Sequence, residues 1–321
     1  MKKTLSIIAL ALAACTSAFA QQALWGRAAV KSPEINADKT VTFRIAAPKA
    51  VTVEVTGDFL PTQKIDTPFG QMDAPGVAAL KEGKDGVWEY TTPSPVAPEL
   101  YTYTFKVDGQ TMIDPSNVYV NRDVASLTSL LLVDGNELTN HFKVNDVPHG
   151  TVSKIWYHSD HEGIDRRLTV YTPAGYDKDV NKKYPVFYLI SGTTDTEEVY
   201  YKVGRMNYIL DNLLAEGKAQ EMIIVLPYGN PTKLLTAPAQ GGGFGMMMRD
   251  VVGEDVTGDL MNYVESHYRT INDADHRAIG GFSRGGNQGL GIGLRNLDKF
   301  SYLCSYSSFT STDIPGVYDN A

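Results

Sequence analysis

Cysteine is nearly absent from the 321-residue chain, which has only Cys15 and Cys304. A disulfide framework is therefore excluded, and stability must come from buried apolar surface, which a chain of this length can supply. An excess of positive charge is missing too: 29 Lys and Arg stand against 37 Asp and Glu, a formal net charge of −8. That balance argues against nucleic acid or an anionic membrane as the main partner, because the average surface would repel both. Beyond the first twenty residues no stretch approaches the ~18 uninterrupted apolar residues of a transmembrane helix. No Cys/His cluster has metal-site spacing, since His158 and His161 lack further ligands, and no metal is expected. Gly241-Gly242-Gly243-Phe244-Gly245 lacks the Gly-Lys-Ser/Thr ending of a phosphate loop, so no nucleotide or other cofactor is expected. That segment reads as a flexible loop near a site mouth. With 43% hydrophobic and 21% charged residues, the chain is not disordered or collagen-like.

What is present begins with an address. Lys2 and Lys3 precede an apolar run from Leu5 to Ala14, and Ala18-Phe19-Ala20 supplies a small-residue cleavage site before Gln21. This is the layout of a secretory signal peptide over residues 1–20, so the protein is expected to be exported, either periplasmic or secreted. Leu12-Ala13-Ala14-Cys15 also fits a bacterial lipobox, which would put a lipid on Cys15. The well-formed site downstream favours cleavage after Ala20, leaving Cys304 as a buried free thiol.

Two domains follow from a change of period. From Trp25 to about Leu132 apolar residues alternate, as in Thr40-Val41-Thr42-Phe43-Arg44-Ile45, Val51-Thr52-Val53-Glu54-Val55 and Tyr101-Thr102-Tyr103-Thr104-Phe105-Lys106-Val107. Short half-buried strands broken by turns such as Asp108-Gly109 predict a β-sandwich over 21–133. Residues 134–148 are polar and mixed and read as a linker. From 149 to 321 the pattern becomes continuous apolar runs (Tyr184 to Ile190, Met222 to Leu226, Ala278 to Gly281). Strands buried on both faces look like this. Between them the spacing predicts helices over 207–216, 254–267 and 286–294, with Val256, Leu260, Val264 and His267 on one face. Strand–helix alternation of this kind is a doubly wound, mostly parallel α/β domain.

The strongest motif is Gly281-Phe282-Ser283-Arg284-Gly285, a G-x-S-x-G sequence between a buried strand and a helix. That context is what a nucleophile elbow needs: Ser283 in a strained turn, with Gly281 and Gly285 removing side chains that would collide with neighbouring elements. Ser283 is the candidate catalytic nucleophile. The backbone amide of Arg284 is one oxyanion donor, its guanidinium expected to be solvated.

Two resemblances extend this reading. Val41 to Pro48, Gly57-Asp58-Phe59, Gly86-Val87-Trp88-Glu89, Val107-Asp108-Gly109 and Asp114-Pro115 resemble the immunoglobulin-like modules related to family 48 carbohydrate-binding modules. Trp88 there is either a core residue or a sugar-stacking platform. Val147-Pro148-His149-Gly150, the run Arg166 to Tyr176, Tyr184-Pro185-Val186, Asn207 to Gly217 and Arg277 to Ser283 resemble the family 1 carbohydrate esterases, feruloyl and acetyl-xylan esterases of the α/β-hydrolase fold. The resemblance implies an acyl-enzyme on Ser283, a second oxyanion donor at the Thr193 amide, and plant cell-wall polysaccharide such as xylan as partner. Ser191 and Thr193 stand where the family usually has His and Gly.

One further absence bears on mechanism. The fold supplies its triad in the order Ser, Asp or Glu, His, yet all six histidines (His141, His149, His158, His161, His267, His276) precede Ser283. His276 begins the strand that ends at the elbow, roughly 20 Å away at ~3.3 Å per residue. Asp313 and Asp319 could serve as the acid only with a base. The last two strands of the fold have no counterpart, so the sequence reads as a C-terminally incomplete copy of an esterase. The rival is a non-catalytic glycan-binding protein carrying a degenerate hydrolase domain. A lipase or peptidase on the same fold is disfavoured by the resemblance alone.

Overall fold

The computed structural model of the chain describes residues 30–67, 70–123, 126–192, 196–229 and 252–308. The signal-peptide segment with Cys15, the oxyanion candidate Thr193, the glycine run 241–245, Asp313 and Asp319 lie outside them. Among the described residues no helix is long and apolar enough to cross a membrane.

Twelve strands come first: β1 (Glu34–Ile35), β2 (Val41–Ala46), β3 (Val53–Gly57), β4 (Gln63–Thr67), β5 (Gly70–Ala74), β6 (Gly76–Ala79), β7 (Lys81–Glu82), β8 (Val87–Thr91), β9 (Glu99–Val107), β10 (Gln110–Met112), β11 (Val120–Asp123) and β12 (Ser126–Val133). They form one sheet in the order β1-β2-β8-β7 and another in the order β11-β12-β9-β3-β6, with β10 beside β9 and β4–β5 as a separate two-stranded arm. The alternation seen in the sequence has its physical counterpart in the core, where Val41, Phe43 and Ile45 meet Val53, Val55, Tyr103 and Phe105. Phe43 stacks on Phe59 at 4.9 Å and meets Tyr103 edge-on at 5.0 Å, both favoured aromatic geometries. Trp88 is a core residue, 8% exposed, with its indole N–H on the Ala47 carbonyl at 3.1 Å. Asp114 is wholly buried and accepts hydrogen bonds from Ser32 (2.6 Å) and Tyr103 (2.8 Å). Burial raises its pKa above the ordinary aspartate value.

The segment read as a linker holds a short helix, α1 (Glu137–His141), opened by an Asn136–Thr139 capping box. Its residues strap onto the next domain: Asn212 donates to the His141 and Lys143 carbonyls, and Arg205 to that of Phe142 at 3.0 Å. The ligating atoms of Glu137, His141 and Glu216 lie within 4.8 Å of one another, but the Lys218 ammonium already pairs with both carboxylates. The trio is an ion-pair cluster tying the two parts together.

The second part is a six-stranded sheet of β13 (Thr151–Ser159), β14 (Ile164–Thr172), β15 (Val186–Ile190), β16 (Ile223–Pro227), β17 (Arg277–Phe282) and β18 (Tyr302–Tyr306), ordered β13-β14-β16-β15-β17-β18. The β15, β16, β17 and β18 strands run parallel, while the β13–β14 hairpin joins antiparallel at β16. Helices α2 (Val199–Lys202), α3 (Met206–Ala215), α4 (Met261–His267) and α5 (Arg284–Arg295) flank it. The continuous apolar runs are explained by burial on both faces. Tyr188 and Ile190 pack with Val256, Leu260, Val264 and Ile292 on one side, while Leu189 and Ile224 pack with Leu210 on the other. A π-turn at Val256–Leu260 precedes α4. His267, expected on the apolar face, is exposed and stacks on Tyr263 at 4.0 Å. Among the described residues β18 is a sheet edge, and Cys304 on it is a half-buried free thiol whose pKa burial raises.

The Tyr188 hydroxyl is fully buried and has no hydrogen-bond partner among the described residues. An unsatisfied buried hydroxyl costs about 1–3 kcal/mol. Tyr188→Phe is therefore expected to raise stability by about 1 kcal/mol in urea denaturation; a lower midpoint would show that the hydroxyl is satisfied.

Candidate active site

The site grows from the junction of β17 and α5. Ser283 sits between them with φ 55° and ψ −120°, a conformation that L-residues rarely adopt. Two backbone bonds hold it there: its N–H donates to the Tyr306 carbonyl at 2.9 Å, and its own carbonyl accepts from Asn287 N–H at 3.1 Å. The residue is partly exposed while Arg284, Gly285 and Gly286 behind it are buried. A side-chain carbon on Gly281 or Gly285 would lie closer than 3.0 Å to the Ile190 carbonyl oxygen, an overlap that only glycine avoids. Gly289 likewise lets α5 ride directly on Gly280. The first amides of α5, beginning with that of Arg284, stand at the positive end of the helix dipole, where developing negative charge is favoured. The chain leaving β15 passes close by, since a Cβ on Gly192 would be 3.7 Å from the Ser283 Cβ.

The guanidinium of Arg284 corrects an expectation. It is not solvated: the residue is 4% exposed, and its Nη2 donates to the Gly229 carbonyl at 2.5 Å. Gln288 donates to the same oxygen at 3.3 Å, and the Ser191 hydroxyl accepts from Gly229 N–H at 3.3 Å. Burial lowers the pKa of Arg284 from its ordinary value. One residue back, the Tyr228 carbonyl accepts from Arg166 Nη2 at 2.5 Å. Arg166 is itself buried against Asp255 and Glu162, both at 2.7 Å, and Tyr157 donates to Asp255 at 2.6 Å. Two successive carbonyls at the exit of β16 are thus each capped by a buried arginine. Sequence reasoning missed this pair, although a period-two reading of β14 puts Arg166 on the same face as Leu168 and Val170, where only a paired cation is tolerated.

Each of the six histidines has a local partner other than Ser283. His141 pairs with Glu216, His149 with Asp211 (2.9 Å), His158 with Asp165 (2.7 Å) and His161 with Glu254 (3.0 Å). His267 contacts the Tyr263 carbonyl, and His276 pairs with Asp273 at the far end of β17.

Residues 159–315 match the esterase family model. A protein of Xylanibacter ruminicola described as an endo-1,4-beta-xylanase/feruloyl esterase is 28% identical over 274 residues, covering 84% of this chain and 35% of that protein. The chain thus spans about a third of that relative's length. Among solved structures, an enterochelin esterase from Shigella flexneri superposes with a TM-score of 0.59 at 16% identity, over 88% of this chain and 74% of the other. A ferulic acid esterase from Anaeromyces mucronatus is 33% identical, covering 52% of this chain and 61% of its own, with a TM-score of 0.47. The architecture of residues 151–306 is of the α/β-hydrolase type.

The packing at the elbow makes a paired prediction. Gly285→Ala is expected to cost about 3 kcal/mol or more through overpacking against the end of β15. Gly258→Ala, in the helical turn before α4 where no neighbour lies within 4 Å of a new Cβ, is expected to stabilise by about 0.5–1 kcal/mol. Chemical denaturation of the two variants measures both; equal effects would contradict the close approach.

Proposed function

We propose that the chain is an exported serine carboxylic-ester hydrolase acting on ester decorations, feruloyl or acetyl, of plant polysaccharide such as xylan. The observation that carries this is Ser283 at φ 55° on a strand–helix turn, inside a segment matching an esterase family model. In this reading residues 149–321 form the esterase domain, 134–148 the connection, and 21–133 an immunoglobulin-like sandwich related to family 48 carbohydrate-binding modules, after a signal peptide at 1–20. Ser283 Oγ attacks the ester carbonyl, the alcohol leaves, and water clears the acyl-enzyme. The amide of Arg284 at the head of α5 and that of Thr193 receive the oxyanion, with Gly281 and Gly285 permitting the turn.

Each of the six imidazoles has a hydrogen-bond partner other than Ser283. Loss of the triad His in a serine hydrolase leaves about 10³–10⁴-fold acceleration over water, from the oxyanion site and binding. Free imidazole in solution can serve as the base for Ser283 in this chain. Hydrolysis of p-nitrophenyl acetate or methyl ferulate is expected to rise with added imidazole at least about tenfold above that of Ser283→Ala, the remainder being imidazole's own chemistry. Equal rates in the two proteins at every imidazole concentration would overturn Ser283 as nucleophile. The exposed indole of Trp156 on β13 favours a second reading, a non-catalytic glycan-binding protein with a degenerate hydrolase domain. Retention on xylan with no Ser283-dependent hydrolysis supports that one.

A further inference from the structure

We propose that the β13–β14 hairpin carries a glycan subsite, in which the indole of Trp156 stacks on a sugar ring between the Arg167–Glu197 and His158–Asp165 pairs. It rests on the polysaccharide-ester reading above and adds where the carbohydrate chain lies. Along β13 the side chains alternate: Tyr157 points into the core, whereas Trp156 is 64% exposed. An indole left in water on a strand whose other face is well packed is a large apolar surface without an intramolecular partner. The strand register puts Trp156 directly opposite Arg167 and His158 directly opposite Asp165. All four therefore share one face of the hairpin, two by two. Arg167 is pinned through Nε and Nη2 by Glu197, which is fully buried, yet its side chain remains 37% exposed. His158 holds Asp165 at 2.7 Å in solvent.

This is a flat apolar floor bordered by hydrogen-bonding groups of both signs: Arg167 on Glu197 at one side, and His158 between Asp165 and Asp160 at the other. Such a surface suits an uncharged, hydroxyl-rich ring, whose C–H face lies on the indole while its hydroxyls meet the guanidinium, imidazole and carboxylates. It suits neither a polyanion nor a lipid. Its position favours the same ligand. Leu168 pairs with Pro227, so Arg167 lies level with the exit of β16, at the end of the sheet where Ser283 stands. Four strand spacings of about 4.8 Å, ~19 Å in all, separate β13 from β17. A polysaccharide of a few rings bridges that distance, with its esterified ring at Ser283 and an undecorated ring on Trp156.

The test uses affinity electrophoresis in soluble arabinoxylan and titration with xylohexaose, read by tryptophan fluorescence. Of the three tryptophans, Trp88 is buried and Trp25 lies outside the described residues, so acrylamide quenching is read in a Trp25→Phe background, where it reports strongly on Trp156. Xylohexaose is expected to protect the fluorescence of that protein. Trp156→Ala is expected to weaken binding at least about tenfold, while Trp156→Phe, which keeps a ring and a strand-compatible side chain, retains part of it. Ser283→Ala should bind as the unaltered protein does, so failure of the nucleophile and failure of the subsite give different patterns. Unchanged retention of a folded Trp156→Ala protein, or no retention of the unaltered protein, overturns the proposal. So does a Trp156-dependent dimer in gel filtration without any glycan effect.

Discussion

Everything at the proposed catalytic end depends on one close approach: the elbow after β17 lies against the last carbonyls of β15. Gly281 and Gly285 face the Ile190 oxygen, and Gly285 also faces that of Ser191, at distances no Cβ could share. The parallel pairing of Ile190 with Gly281 sets this contact, because it brings the two strand ends level before the chain turns. Beyond that level the backbone enters α5 with Ser283 at positive φ. The strained torsion is thus a consequence of packing, and packing maintains its cost of about 1–3 kcal/mol.

A second constraint holds the neighbouring strand end in place. Arg284 and Arg166 reach the Gly229 and Tyr228 carbonyls from opposite sides of β16. Arg166 brings its own compensation in Asp255 and Glu162, and Tyr157 completes that buried group. Arg284 has no carboxylate partner among the described residues: its Nη2 donates to the Gly229 carbonyl, and its buried Nε has no hydrogen-bond partner among them. Buried ion pairs contribute little net stability against an apolar alternative, but removing one member is costly. What such groups supply here is a single position for Tyr228 and Gly229 at the exit of β16, and through its hydroxyl also for Ser191 at the exit of β15. The proposed anion pocket depends on the second of these exits.

Much of this architecture was legible beforehand where burial is uniform along an element. The runs at 184–190 and 222–226 read as two-sided strands because both of their faces are covered, and 41–45 and 101–107 read as alternating strands because only one is. The G-x-S-x-G motif was readable because steric demand at Gly281 and Gly285 leaves few other residues possible. What escaped depends on long-range partners. Arg284 looked solvated because its neighbour Gly229 is 55 residues away. The helix at 137–141 was hidden in a polar segment because a capping box and contacts to α3, not an apolar stripe, sustain it. Trp156 went unremarked because one exposed aromatic in a strand acquires meaning only when its cross-strand neighbours are known.

The six histidines sharpen what the scaffold does and does not contribute. Five of them are held by carboxylates and the sixth by a backbone carbonyl, so each imidazole has a local partner that fixes its ring. The elbow, by contrast, is complete in itself: its torsion, its glycines and the head of α5 arise from contacts of β15, β17 and β18 with the helix, and none involves an imidazole. The geometry of this turn depends on backbone packing alone. In the proposed reading, an added base would find that geometry already formed and would act on Ser283 through the rate of proton removal.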